Sequence, residues 1–225
     1  IVQTIARELP IPPVMSYFLC DCWYVSEKII NTFALKGFHT IGALKINRML
    51  YPFGIRQKLS EFAALLSVTH ADFHLVTVKN QKYYVYRYEG KLNGIENAVV
   101  LLSYPEKAFG KPKALRAFLS TDVSLSTDEI LSYYVCRWLI EVFFRQCKDK
   151  LALDSYQIRS AQGIQRYWLI MSLAHYMCVI GNGEPSSFEN GYHQICDVIQ
   201  LERYRYIFQC AKASNDFDAF MKVAV

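Results

Sequence analysis

The sequence lacks the features that mark several large classes of protein. Its seven cysteines are an odd number, and none forms the Cys-x2-Cys spacing of a zinc ribbon, which favours reduced thiols over a structural zinc site. No signal peptide opens the chain, and the longest apolar run, residues 167–180, is interrupted by Ser172 and His175 and is too short to span a bilayer. These absences predict a soluble cytoplasmic protein without disulfides.

Charge is also modest, and the composition is that of an ordinary folded protein. Of the 225 residues 52% are hydrophobic and 20% are charged, which disfavours disorder. A net charge of +5 is compatible with an acidic polymer as partner, but it does not identify DNA. The chain begins with Ile1 rather than methionine, so we expect it to be a piece of a longer protein.

The first part of the chain has the pattern of a strand, a helix and a second strand. An apolar strand over residues 14–19 runs into Asp21, Ser26 caps a helix over residues 27–36, and a strand follows at 39–45. Open α/β sheets bind ligands at the carboxyl ends of parallel strands, which makes Asp21 a candidate site residue. Its alternative role is to cap a turn or a helix.

Residues 73–121 have the alternating, aromatic pattern of antiparallel strands. We expect strands at 73–78, 82–88, 98–102 and 114–120, separated by turn residues. The tyrosines of this segment either contact nucleic acid between the neighbouring basic residues or pack across strands. Cross-strand packing is the commoner role of such residues.

A polar stripe on one predicted helix is the most informative feature of the chain. Ser126-x2-Glu129 is a capping box that starts the helix near Thr127. The spacing Tyr134-x2-Arg137-x3-Glu141-x6-Lys148 places four side chains within a sector of roughly 60° on a continuous helix. Apolar residues cover most of the remaining circumference, which predicts a mostly buried helix. Cations along the stripe, which also include Arg145, would offset the cost of burying the Glu141 carboxylate; the alternative is a solvated helix face.

These residues carry a resemblance to a known family. The segment Cys20-Asp21-Cys22-Trp23-Tyr24, the Tyr-Arg-Glu-Lys spacing and a following Leu153-x2-Tyr156-Gln157-x-Arg159-Ser160 together resemble the catalytic core of bacterial insertion-sequence DDE transposases of the Tyr-Arg-Glu-Lys signature group. The resemblance covers nearly the whole chain. The separation of Asp21 from Glu141 (141 − 21 = 120 residues) leaves room for the β-rich insertion that such transposases carry.

The resemblance implies an α/β fold with an RNase H-like core, a β-rich insertion between the second Asp and the Glu, and C-terminal helices. Residues 1–70 would form part of the core and residues 71–122 the insertion. Residues 123–160 would hold the signature helix that completes the core, and residues 161–225 would form a C-terminal helical region, for which we expect helices at 162–180 and 188–212.

The resemblance also implies a chemistry. Asp21, as the second Asp, and Glu141 would bind two Mg²⁺ or Mn²⁺ ions for metal-dependent cleavage and strand transfer at insertion-sequence ends. DNA phosphates would be held by basic and hydroxyl side chains of the stripe: Tyr134, Arg137, Arg145 and Lys148. The partners would be transposon-end and target DNA and a second copy in a synaptic homodimer. We expect no membrane association, and a cytoplasmic protein bound to the nucleoid through DNA.

Two departures from the family pattern carry expectations of their own. The first Asp of the triad belongs on an earlier strand, yet Glu8 is the sole acid among the twenty residues before Asp21. The chain alone is therefore expected to be inactive or severely impaired. Its three tryptophans, Trp23, Trp138 and Trp168, lie outside the insertion, so a cleavage pathway through a DNA hairpin is not supported.

Two other functions stay open at this stage. The chain could be a non-catalytic remnant of a transposase that binds DNA in a salt-sensitive way. It could instead be a structural domain in which the stripe forms an internal salt-bridge network, in which case Glu141→Gln would lower stability and DNA would not bind.

Overall fold

The computed structural model describes residues 2–69, 72–181, 187–213, 216–218 and 221. It divides the chain into two compact units, Ile1–Trp138 and Leu139–Val225. The class is mixed α/β, as the sequence predicts.

The first unit contains most of the secondary structure. Its elements in chain order are α1 (Val2–Glu8), β1 (Ser16–Cys20), α2 (Glu27–Ala34), β2 (Phe38–Leu44), β3 (Met49–Leu50), β4 (Gln57–Lys58), α3 (Leu59–Thr69), β5 (His74–Val78), β6 (Gln81–Leu92), β7 (Ile95–Pro105), β8 (Arg116–Ser120) and α4 (Thr127–Cys136). Three helices follow: α5 (Trp138–Leu151), α6 (Ala161–Ile180) and α7 (Phe188–Ala213). The elements expected from the sequence agree in type and differ by a few residues at their ends, except at the signature helix.

The eight strands form one sheet that is mostly antiparallel. Its order is β1-β2-β8-β7-β6-β3-β4, and β5 pairs with β6 beside this path. Among the strand pairs of the described residues, β1–β2 alone is parallel, with Cys20 opposite Gly42. The strands of residues 74–120 therefore continue the same sheet as the first two strands, because β8 pairs with β2 on one side and with β7 on the other.

Strand β7 supplies both faces of the core. Its residues 98–102 are completely buried, as expected for a central strand whose alternate side chains point to opposite faces. Val100 and Leu102 pack in one cluster, and Val99 and Leu101 pack in another. Helix α4 adds Ile130 and Leu131 to the second cluster, which holds this helix on the sheet.

The tyrosines of β6 and β7 serve mainly as packing residues. Tyr88 and Tyr104 are 9% and 2% exposed, and Tyr86 lies against Phe62 and Phe73 with ring centroids 5.7 and 5.8 Å apart. These three tyrosines are thus packing residues, and the ring contacts of Tyr86 are with α3 and with the residue before β5.

The second unit is helical. Ser160 caps α6 by accepting a hydrogen bond from the Gly163 N–H (3.1 Å). Helices α6 and α7 approach closely at Gly191, where an added Cβ would lie 1.7 Å from the Cys178 carbonyl oxygen. Only glycine permits this approach. In the described part of the chain, no helix is long and apolar enough to cross a membrane.

Candidate active site

Asp21 lies directly after β1, at the carboxyl end of the parallel pair, as the sequence predicts. Its Oδ1 accepts a hydrogen bond from the Trp23 N–H (2.9 Å), and its carbonyl oxygen accepts one from the Tyr24 N–H (3.2 Å). The carboxylate thus also caps a tight turn, the alternative role that the sequence leaves open. A capping role uses one side of Oδ1 and leaves lone pairs on both carboxylate oxygens for a further ligand.

Helix α4 brings Tyr134 and Arg137 to the same region. Its start is fixed by the predicted capping box: the Ser126 hydroxyl accepts from the Glu129 N–H (3.3 Å), and Glu129 Oε2 accepts from the Ser126 N–H (2.8 Å). The Tyr134 ring packs against Phe118 with centroids 4.7 Å apart. Arg137 Cζ is 5.7 Å from the centroid of the Tyr134 ring.

The electrostatics show that these residues are neighbours within the first unit. Burial raises the pKa of Tyr134, while the charge of Arg137 and a hydrogen bond from it act in the opposite direction, and Asp21 and Cys20 raise it further. For Cys20, burial and then Asp21 raise the pKa to about 12, against an opposing effect of Arg137. The Cys20 thiol is therefore neutral at physiological pH and cannot act as a thiolate. The polar group consists of a carboxylate, a phenol and a guanidinium.

An open cavity borders this group. It has a volume of about 640 Å³, and its lining includes Cys22, Tyr134 and Val135 together with Lys113 and Arg116. The other lining residues are mostly apolar. Tyr134 thus lies between the polar group and a space that is accessible to a ligand.

The signature helix differs from the prediction in its continuity. It is broken at Arg137 into α4 and α5, although Arg137 keeps helical dihedral angles (φ −56°, ψ −30°) and its N–H bonds to the Tyr134 carbonyl (3.1 Å). Helix α4 packs on the sheet through Ile130, and α5 packs through Cys147 on Met171 of α6.

The prediction of a mostly buried helix is also wrong for α5. Trp138, Leu139 and Ile140 are 52%, 67% and 52% exposed, and Phe144 is 36% exposed. Only Cys147 of this helix is fully buried, so α5 buries a narrow face rather than most of its circumference.

Helix α5 carries the other predicted site residues on one exposed face. Glu141, Arg145 and Lys148 are all exposed, and their spacing of four and three residues places them one turn apart along the helix. These three residues belong to the second unit, whereas Asp21, Tyr134 and Arg137 belong to the first. The pairing of Asp21 with Glu141 stays a prediction.

Asp122 is a buried acidic residue that sequence reasoning missed. It is 7% exposed, and its carboxylate accepts hydrogen bonds from the Tyr17 hydroxyl (2.8 Å), the Ser124 hydroxyl (2.6 Å) and the Ser124 N–H (3.0 Å). Burial acts to raise its pKa, but these hydrogen bonds and the charge of His39 hold the pKa below its usual value. Asp122 is thus an ionised group that joins β1 to the segment before α4. The pattern Asp-x-Ser just before a capping box is typical of a turn, and nothing in this pattern points to Tyr17.

The residues present do not by themselves fit a complete metal site. In the parts of the chain that the structure describes, no group of three or more His, Cys, Asp or Glu side chains could hold a metal ion. Asp122 has its carboxylate occupied by Tyr17 and Ser124, and the Cys20 side chain is buried. Asp21 would therefore need further ligands from elsewhere to bind a divalent cation.

Comparison with known proteins identifies the family of this chain. The model of a family described as "Transposase DDE domain" matches residues 1–177, more than three quarters of the 225 residues, and this span includes every predicted site residue. No curated protein matches the chain. The sequence signature and this match agree, and the chain belongs to the transposase DDE domain family.

Proposed function

We propose that this chain processes the DNA ends of an insertion sequence, with Asp21 and Glu141 as metal-binding carboxylates and the basic residues of the signature as phosphate-binding groups. Membership in the family implies DNA cleavage and strand transfer in transposition. The assignment of these roles to individual residues is our proposal.

The observation that carries the proposal is the grouping of Asp21, Tyr134 and Arg137 at the carboxyl end of a parallel strand. A guanidinium presents several donors in a fixed fork that matches a phosphate, and a phenol donates one more hydrogen bond. The neighbouring carboxylate can ligate a cation. A phosphodiester bound between this cation and the guanidinium would have its negative charge balanced on both sides. Tyr134 and Arg137 would hold the phosphate, and Asp21 would face the cation.

Helix α5 would supply the remaining groups. Arg145 and Lys148 lie on the same exposed face as Glu141, and cations spaced along one face can follow the phosphates of a DNA strand. The complete site would hold two Mg²⁺ or Mn²⁺ ions, which prefer carboxylate oxygens. Because the described residues include no three-ligand group, we assign no metal-dependent step to this chain by itself.

The wider architecture follows from the same proposal. Strands β1 and β2 with α2 would belong to an RNase H-like core, and residues 71–122 would be an insertion that extends its sheet. Residues 123–160 would complete the core, and residues 161–225 would be an appended helical region. The protein would act on transposon-end and target DNA as a synaptic homodimer and would be located at the nucleoid when bound.

A non-catalytic DNA-binding protein is the second candidate function. The absence of a three-ligand group among the described residues favours it over a complete nuclease. In this function Arg137 and Lys148 would bind phosphates as in the first proposal. Substitution of Asp21 or Glu141 would change no activity, because neither residue would be a metal ligand.

Binding measurements test the phosphate and metal roles separately. Arg137→Ala should weaken binding of an insertion-sequence end and reduce the slope of log K against log salt by about one unit. Asp21→Asn and Glu141→Gln should each remove any Mn²⁺ binding that calorimetry detects in the unsubstituted chain, while changing DNA affinity little. Undiminished Mn²⁺ binding in both carboxylate variants would contradict their assignment as ligands.

Nicking of supercoiled plasmid in Mn²⁺ tests the expectation that the chain is inactive by itself. The chain by itself is expected to bind plasmid without nicking it. Nicking that is lost in Glu141→Gln would show that the chain is a competent nuclease, and it would refute the impaired activity expected from the missing first Asp. DNA affinity that is unchanged by Arg137→Ala would count against both candidates.

A further inference from the structure

An exposed tryptophan lies two residues after Asp21 and has no role in the functions considered so far. Trp23 is 75% exposed, so most of the indole surface is accessible to a ligand. Lys45 Nζ lies 4.0 Å from the centroid of its ring, in the geometry of a cation–π contact. One face of the indole is therefore occupied by a cation, while most of its surface remains in water.

The backbone that carries Trp23 is held by hydrogen bonds. The Trp23 N–H donates to Asp21 Oδ1 (2.9 Å), and the Ser26 N–H donates to the Tyr24 carbonyl (3.0 Å). The guanidinium of Arg48 donates to the Val25 carbonyl, which joins this loop to the loop after β2. Trp23 thus lies on an ordered turn, so its backbone loses little conformational entropy when a ligand binds.

The sheet topology explains why Lys45 meets Trp23. Strands β1 and β2 are parallel, with Cys20 opposite Gly42, so their carboxyl ends lie at the same edge of the sheet. Asp21 follows β1 and Lys45 follows β2 at this edge. A carboxylate, an exposed indole and an exposed ammonium group consequently lie side by side.

This combination fits one class of ligand. Any of the nucleobases can stack on an indole face, and the ammonium group can contact the phosphate of the same strand. An exposed indole can stack only on a base whose face is uncovered, which means an unpaired or terminal base rather than one inside a duplex. The positive charge of Lys45 also reduces the repulsion between Asp21 and a phosphate.

We propose that Trp23 and Lys45 form a nucleotide-binding pair that holds an unpaired base and its phosphate beside Asp21. This inference rests on the proposed function, because it requires DNA at Asp21, and it adds a preference for single-stranded or frayed DNA at that point. The base lies on the indole face opposite Lys45.

The test compares the affinity of the chain for a short fluorescent oligothymidylate and for a blunt duplex, by fluorescence anisotropy. Trp23→Ala should weaken binding of the oligothymidylate about tenfold and of the duplex much less. Trp23→Phe keeps an aromatic face and should recover most of the affinity. Lys45→Gln should lower the affinity for both ligands and reduce the dependence of this affinity on salt concentration.

A matched control and a spectroscopic measurement complete the design. Phe53→Ala removes another aromatic side chain of the first unit that is 97% exposed, and it should leave both affinities unchanged. In a variant with Trp138→Phe and Trp168→Phe, Trp23 is the remaining tryptophan, and stacking should quench its fluorescence when the oligothymidylate binds.

The outcomes separate this inference from the proposed function. If Arg137→Ala lowers DNA affinity while Trp23→Ala does not and the fluorescence is not quenched, the nucleotide-binding pair is refuted and the phosphate role of Arg137 survives. If neither substitution changes DNA affinity, both are refuted. If Trp23→Ala changes only the stability or the oligomeric state, Trp23 belongs to a protein–protein contact and the inference is overturned.

Discussion

The hydrogen bond between Tyr17 and Asp122 gives a quantitative prediction for the first unit. Tyr17→Phe removes only a hydroxyl, and it takes away the donor that lies 2.8 Å from Asp122 Oδ2. Asp122 is 7% exposed and ionised, so water cannot easily replace the lost donor. Charge-assisted hydrogen bonds at such sites contribute about 1.5–3 kcal/mol, and we expect Tyr17→Phe to lower the free energy of unfolding by about 2 kcal/mol at pH 7.

The same bond has a defined pH dependence. The folded-state pKa of Asp122 lies below its usual value, so its ionisation stabilises the fold above the unfolded-state pKa of about 4. That contribution is lost as the pH falls through the lowered pKa. Without the Tyr17 donor the folded-state pKa of Asp122 rises, and the difference between the wild type and Tyr17→Phe should shrink as the pH is lowered from 7 towards 3.

Urea titrations followed by circular dichroism over this pH range measure both effects. Tyr83→Phe is the matched control, because the Tyr83 hydroxyl donates to Gln81 Oε1 (2.7 Å) on an exposed hairpin, and we expect a change below about 0.5 kcal/mol. Equal effects of the two substitutions at pH 7 would refute the proposed importance of the buried carboxylate. A Tyr17→Phe effect that is independent of pH would refute the ionised state of Asp122.

Three further predictions concern the surroundings of the site. Gly42→Ala should destabilise the fold by about 1–3 kcal/mol in a urea titration, because the new Cβ would lie 2.5 Å from Val25 Cγ2. Adding Val25→Ala to this variant should restore part of the lost stability. Iodoacetamide at pH 8 should alkylate the exposed Cys136 and spare Cys20, whose pKa is about 12, and mass spectrometry showing equal labelling would contradict this. Lys148→Ala should reduce the salt slope of DNA binding by about one unit, and an unchanged slope in anisotropy titrations would exclude a phosphate contact.

Local patterns in the sequence were sufficient to predict most elements of the fold. Alternation predicted β5, β6, β7 and β8, and the capping box placed the start of α4 at Thr127, since these signals depend on neighbouring residues alone. The pairing of β8 with β2 could not be predicted in the same way. Ile41 and Ser120 are opposite each other although they are 79 positions apart (120 − 41), and no local pattern specifies such a pairing.

The break at Arg137 shows a second limit of sequence reasoning. The segment from Thr127 to Lys148 contains no glycine or proline, and its apolar spacing is compatible with one continuous helix. In the structure α4 ends at Cys136 and α5 starts at Trp138. Tertiary contacts can override local helical preference, and they leave no trace in the spacing of residues.

The candidate site was predictable only in part. Asp21 could be placed by its position after a parallel strand, whereas the stripe was predicted on one continuous helix that the structure divides at Arg137. Asp122 and Lys45 could not, because Asp122 meets Tyr17 across 105 positions of sequence and Lys45 meets Trp23 only through the pairing of β1 with β2. Side chains that gain their role from such distant contacts are visible only in the folded chain.

The first unit fixes its half of the proposed site through its own contacts. Arg87 donates to the carbonyl oxygens of Val123 (2.9 Å) and Leu125 (2.7 Å), and Asp122 binds Tyr17 of β1, so the segment that leads into α4 is held to two strands of the sheet. These bonds set the place of α4, and hence of Tyr134 and Arg137, relative to the strand that ends at Asp21.

Glu141 follows the break in the helix and belongs to the second unit. Phosphate binding by Arg137 and cation binding by Glu141 are proposed as different roles, and they should be separable by mutation. DNA affinity should survive Glu141→Gln and fall in Arg137→Ala. It should also fall in Tyr17→Phe to the extent that this substitution loosens α4.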